Sequence, residues 1–99
     1  MKYGRLLNDK YIGMFVQGHA RCSDDVKTKD GNNILCASVS AIAQTAMLGC
    51  LTLGSLKELK QTKGYLCFLT PRNDKTEAII DCAIGGISQI VSQYPENFK

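Results

Sequence analysis

Two residue types in this chain could carry covalent chemistry. Its 99 residues include one histidine, His19, and five cysteines, at 22, 36, 50, 67 and 82. A thiolate is a strong nucleophile, but it needs a neighbour that sets its charge and returns a proton to the leaving group. His19 is the one imidazole present for that task. The gaps between successive cysteines are 14, 14, 17 and 15 residues, with no CxxC pair. Structural zinc sites bring their ligands in close pairs. His19, Cys22 and Cys36 have spacing that permits a cation, but no fourth ligand lies nearby, so no metal or other cofactor is expected. The odd cysteine count argues against a disulfide framework and for a reducing cytosol. Cys50, Cys67 and Cys82 lie in apolar stretches and are expected to be small buried hydrophobes.

Cys36 is in a different setting. Asn33 is a favoured N-cap, because its side-chain oxygen accepts a backbone N–H of the first helical turn. With Asn33 as cap, Cys36 falls at the third helical position. There the N–H groups and the positive end of the helix dipole favour negative charge. Helix N-termini can lower a thiol pKa from about 8.5 into the range of roughly 3.5–7.5. The same helix start offers the backbone N–H groups of Cys36 and Ala37 to a developing oxyanion. Gly31 and a polar loop beside it leave the thiol reachable. His19 sits at a strand end across that loop, from where an imidazole can come within hydrogen-bond reach of a helix start.

The elements that must hold this pair follow from patterning. A chain of this length makes one domain, residues 1–99. Lys2 to Leu7 and Tyr11 to Gln17 are predicted strands joined by the turn Asn8-Asp9-Lys10. In the second, Ile12, Met14 and Val16 share one face, and Tyr11 and Phe15 the other. Gly18 ends it. Residues 20–32 form a polar loop whose three basic and three acidic side chains cancel, long enough to be functional or mobile. Ile34 to about Leu53 is apolar almost all round and is predicted to be a helix buried on most sides, by a sheet and by a second subunit. Residues 55–60 suggest a short edge strand, Lys63-Gly64 a turn, and Tyr65 to Thr70 the strongest strand. Asp74 and Glu77 resemble a capping box opening a helix from about Lys75 to Gln93. Its apolar stripe is Ile80, Ala83, Ile84, Ile87, Ile90, Val91 and Tyr94. Gly85-Gly86 inside it implies close packing. The order is ββαββα, an α+β fold with a mainly antiparallel sheet, two helices packed against it and a helix-mediated dimer.

Charge excludes some partners. Twelve basic and nine acidic residues give a net +3, too dilute for a nucleic-acid face. No apolar run of 18 residues escapes polar interruption, so no membrane span is expected. The first twenty residues lack the pattern of a signal peptide, which points to the cytoplasm.

Gly18-His19-Ala20, then Gly31-Asn32-Asn33-Ile34-Leu35-Cys36-Ala37-Ser38-Val39-Ser40-Ala41, resembles the ribosomal-processing cysteine protease (Prp) family. That family shows a GHA tripeptide, a Gly-containing loop and an Asp-[IV]-[VI]-Cys-Ala-x-[VI]-Ser helix start. The resemblance covers the whole chain. It implies that Cys36 is the nucleophile and His19 the general base and acid, that Ser40 lies near the site and that Gly31 is a flexible point. It implies a substrate, the short N-terminal extension of a large-subunit ribosomal protein, cut after an aromatic pair, and a homodimer. Met14, Phe15, Val39 and Met47 are then candidates to line pockets for substrate aromatics. Ser40 has a second reading, a hydroxyl bonded to the carbonyl four residues back. Two departures stand out. Asn33 replaces the family Asp, and the 17-residue separation of His19 and Cys36 is longer than usual. Asn33 caps the helix and can orient an imidazole, but cannot stabilise an imidazolium by charge. This keeps open a catalytically weak relative that binds a ribosomal protein or ribosome surface without cutting it.

Overall fold

A computed structural model gives the fold of residues 1–18, 34–62 and 64–98. His19, Cys22, Gly31, Asn33 and the loop 20–32 lie outside the described residues. The elements in order are β1 (Lys2–Leu7), β2 (Tyr11–Gln17), α1 (Ile34–Leu53), β3 (Glu58–Thr62), β4 (Tyr65–Pro71), α2 (Asp74–Gln93) and a short 3-10 turn, Pro95–Phe98. The strands form one four-stranded sheet in the order β1-β2-β4-β3, with every neighbouring pair antiparallel. This is an α+β fold with both helices on one face of the sheet.

The β1–β2 turn is built by Asn8, whose Oδ1 accepts the N–H groups of Lys10 and Tyr11 at 2.9 and 2.8 Å. Alternation in β2 and β4 sends Ile12, Met14, Val16, Leu66, Phe68 and Thr70 towards the helices. The register sets Met14 opposite Phe68 and Val16 opposite Leu66. These side chains meet Val39, Ala43, Ala46 and Cys50 of α1 and Ile80, Ala83 and Ile87 of α2 in one core. Each fully buried large side chain there contributes about 1.5–3 kcal/mol. Gly13 has a steric cause. A Cβ on it would overlap the Phe68 carbonyl oxygen and crowd the Leu69 side chain.

Several details differ from the sequence-based expectations. The third strand begins at Glu58 rather than Ser55, and the Ser55 carbonyl before it accepts from the Thr70 hydroxyl at 2.9 Å. The cap of α2 is Asn73, paired with Thr76 in a reciprocal box, and not Asp74 with Glu77. Glu77 instead meets the Arg72 guanidinium at 3.2 Å. In α1 only the stripe Leu35, Val39, Ala43, Ala46, Cys50 is buried. Leu48 is 55% exposed, and Ile34, Leu51 and Leu53 are exposed as well. One sheet face can cover only one side of a helix, so the expected burial on most sides is not met within the chain. By length and composition alone, α1 is long and apolar enough to cross a membrane, with a mean hydropathy of 1.8; its buried stripe packs instead on the sheet.

In α2, Ile80, Ala83 and Ile87 are buried while Tyr94, at the helix end, is exposed. Gly85 faces open space, and a Cβ on Gly86 would make only ordinary contact with Ile42. The glycine pair is therefore not a tight packing point within the chain. Of the three cysteines expected to be buried, Cys50 is, Cys67 is half-buried and Cys82 is exposed. Cys82 lies off the helical phase of Ile80, Ala83 and Ile87, and phase outranks apolar neighbours in sequence.

Candidate active site

Ile34 opens α1, so Cys36 stands at its third residue, in the first turn. Its side chain is half-buried. It lines a cleft of about 310 Å³ between the start of α1 and one end of the sheet. Ala37, Ser40 and Gln44 continue the α1 wall. Gln61, Thr62, Gly64 and Tyr65 form the opposite rim, at the β3–β4 turn. Val39, Ala43, Val16 and Leu66 form an apolar floor, each of them buried.

The same cleft is lined by Gly18, the residue covalently joined to His19. Gly18 has φ +91 and Gly64 has φ +80, the left-handed region that only glycine adopts at little cost. The Gly18 N–H donates to the Gly64 carbonyl at 2.7 Å. The end of β2 is thereby tied to the β3–β4 turn beside the cleft.

Ser40 is exposed and lines the cleft. Among the described residues its hydroxyl makes no hydrogen bond, while Ser38, Thr45 and Thr52 donate to the carbonyls four residues back. The back-bonded reading thus belongs to Ser38. Of the four residues named as pocket candidates, only Val39 lines this cleft. Met14 is fully buried in the core, Phe15 is on the other sheet face and Met47 packs against the core. The neighbouring Cys67 side chain, by hydrogen bonding and then by charge, pushes the Tyr65 phenol pKa up. Burial also raises the Cys50 thiol pKa, which keeps that core sulfur neutral. No group of three or more metal-binding side chains occurs among the described residues.

Gln44, Gln61, Thr62 and Tyr65 were not singled out from the sequence. Gln44 was within reach of helical periodicity, since Cys36, Ser40 and Gln44 recur every four residues on one face. The β3–β4 rim was not, because only strand pairing carries it to the helix start.

Set against known families, the chain matches the profile described as Cysteine protease Prp over residues 2–99. The chain belongs to the cysteine protease Prp family. It is therefore a cysteine protease. Its fold is similar to that of the S. aureus essential ribosomal processing protease Prp, solved with a covalently linked product peptide. The TM-score is 0.66 at 22% sequence identity, over 94% of this chain and 90% of that one. A comparison with curated protein sequences finds no match.

Proposed function

We propose that this Prp-family chain is an endopeptidase of the bacterial cytoplasm. It removes a short N-terminal extension from a large-subunit ribosomal protein, cutting after an aromatic pair. Cys36 is the nucleophile and His19 the proton carrier. The observation that carries this is the cleft that both Cys36, in the first turn of α1, and Gly18, the residue bonded to His19, line. Membership of the family and the product peptide held by the S. aureus structure support it.

In the first half-reaction the Cys36 thiolate adds to the scissile carbonyl carbon and a C–S bond forms. The oxyanion is met by the backbone N–H groups of Cys36 and Ala37 at the helix start. The His19 imidazolium gives its proton to the leaving amine as the C–N bond breaks, leaving a thioester. A water then loses its proton to His19, attacks the thioester carbonyl and releases the acid and the Cys36 thiolate. Asn33 caps α1 and orients the imidazole, Gly31 gives the loop freedom near the helix, and Ser40 sits one turn beyond the sulfur facing the peptide. No metal or cofactor takes part.

A homodimer completes the reading. Leu48, Leu51 and Leu53 are exposed on α1. An apolar depression of about 720 Å³ lies between the helices, lined by Ile42, Gly49, Ile79 and Gly86 among others. A second copy laid over this depression would bury it.

Two experiments test the reading. Mass spectrometry should show the ribosomal protein shortened by the wild-type chain and left intact by Cys36→Ala. Iodoacetamide should label Cys36 faster than the exposed Cys82, with His19→Ala removing the difference. Normal cleavage by Cys36→Ala refutes the nucleophile. The second reading, a module that binds the ribosomal protein without cutting it, rests on Asn33 in place of an acid. Equal labelling of Cys36 and Cys82, with retained peptide binding, would favour it.

A further inference from the structure

We infer that Gln44 and Gln61 form a subsite that grips the backbone of an extended peptide three to four residues from the bond cut at Cys36. This rests on the peptidase reading above. Cys36, Ser40 and Gln44 lie four residues apart on one face of α1, and all three line the cleft. Eight residues of helix advance about 12 Å. An extended chain advances about 3.3 Å per residue, so Gln44 stands between three and four peptide residues from the sulfur.

Gln61 reaches the same cleft from the sheet. Its register partner is Leu66, whose side chain is buried under the helices. Directly paired antiparallel residues share a face, so Gln61 projects to the helix side. Both glutamines are exposed, and neither makes a hydrogen bond among the described residues. A carboxamide offers two donors and an acceptor, the complement of peptide N–H and C=O groups. Between the two amides lies the apolar floor of Val39, Ala43 and Leu66. The floor suits side chains and the amides suit backbone, so this subsite sets substrate length more than sequence.

The probes are synthetic peptides of the ribosomal extension, one with five residues on each side of the cut and others with either side trimmed to two. With the long peptide, Gln44→Ala and Gln61→Ala should each raise KM about five- to tenfold, the worth of one net hydrogen bond, and leave kcat within about twofold. With the peptide trimmed on the occupied side both variants should match wild type. Gln44→Glu should not restore KM, since it loses the donors. The same peptides are titrated calorimetrically onto Cys36→Ala chains with and without Gln44→Ala. An equal KM effect on all peptides, or no effect on any, overturns the subsite. Gln44-dependent binding of the long peptide alone, together with a wild-type chain that never cleaves it, supports the subsite and refutes the peptidase reading.

Discussion

Gly18→Ala is the perturbation that most directly tests how the cleft is assembled. Gly18 has φ +91 and holds the Gly64 carbonyl at 2.7 Å through its N–H. An added Cβ would meet only Met1, at 3.4 Å, an ordinary contact. The cost is therefore conformational, about 1–2 kcal/mol for an L residue held in the left-handed region. For a domain of this size that lowers Tm by about 4–16 °C. The chain escapes the strain only by turning the peptide that leads to His19 and giving up the Gly64 bond. A displacement of about 1 Å at a catalytic group can cost about 10²-fold in rate. Cleavage of the extension peptide and the alkylation rate of Cys36 should thus fall far more than stability requires. Thr76→Val is the control. It removes the Thr76 hydroxyl half of the reciprocal box of α2, remote from the cleft, and leaves the Asn73 N–H without its acceptor at a cost of about 1–3 kcal/mol. It should lower Tm with the alkylation rate of Cys36 unchanged. If Gly18→Ala unfolds at the wild-type temperature and alkylates at the wild-type rate, the link between the β2 end and the cleft is wrong.

Three further outcomes follow from packing and titration. Gly13→Ala should not give a folded chain, because its Cβ has no room against the Phe68 carbonyl; a native-like circular dichroism spectrum and cooperative melt would contradict this. Gly85→Ala should raise stability by about 1 kcal/mol, since the helix gains a better former and nothing opposes the methyl. A drop in Tm would mean that this face is covered. Burial raises the Cys50 pKa above its ordinary value of 9.0. The folded thiol thus keeps its proton where the unfolded one loses it. This contribution is complete below pH 9 and lost as pH rises through the raised folded value. The stability advantage of wild type over Cys50→Ala, measured by urea unfolding, should narrow above pH 9; a widening gap would reverse the sign.

Much of the framework is local and was legible in the chain. The alternation of Ile12, Met14 and Val16 fixes which face of β2 is buried, and the apolar length of α1 fixes its existence. Cys36 could be placed in a first turn because the polar-to-apolar change at Asn33-Ile34 marks a helix start. The errors are of another kind. Cys82 and Gly85 sit in apolar text, yet their helical phase turns them outward. The box of α2 shifted by one residue because Asn73 and Asp74 both suit a cap, and the bonds Asn73 makes to Lys75 and Thr76 decide between them.

By itself the order of residues determined the elements, the unusual setting of Cys36 and the family to which the motif belongs. Only tertiary structure decided what faces that sulfur. Gln61, Thr62 and Tyr65 are some 25 to 29 residues from Cys36 in the chain, and they line its cleft because β4 pairs with β2 and carries the β3 turn to the helix start. Local propensity acts within a few residues. The pairing that closes a sheet acts across the whole chain, and it is settled by how the buried faces fit together.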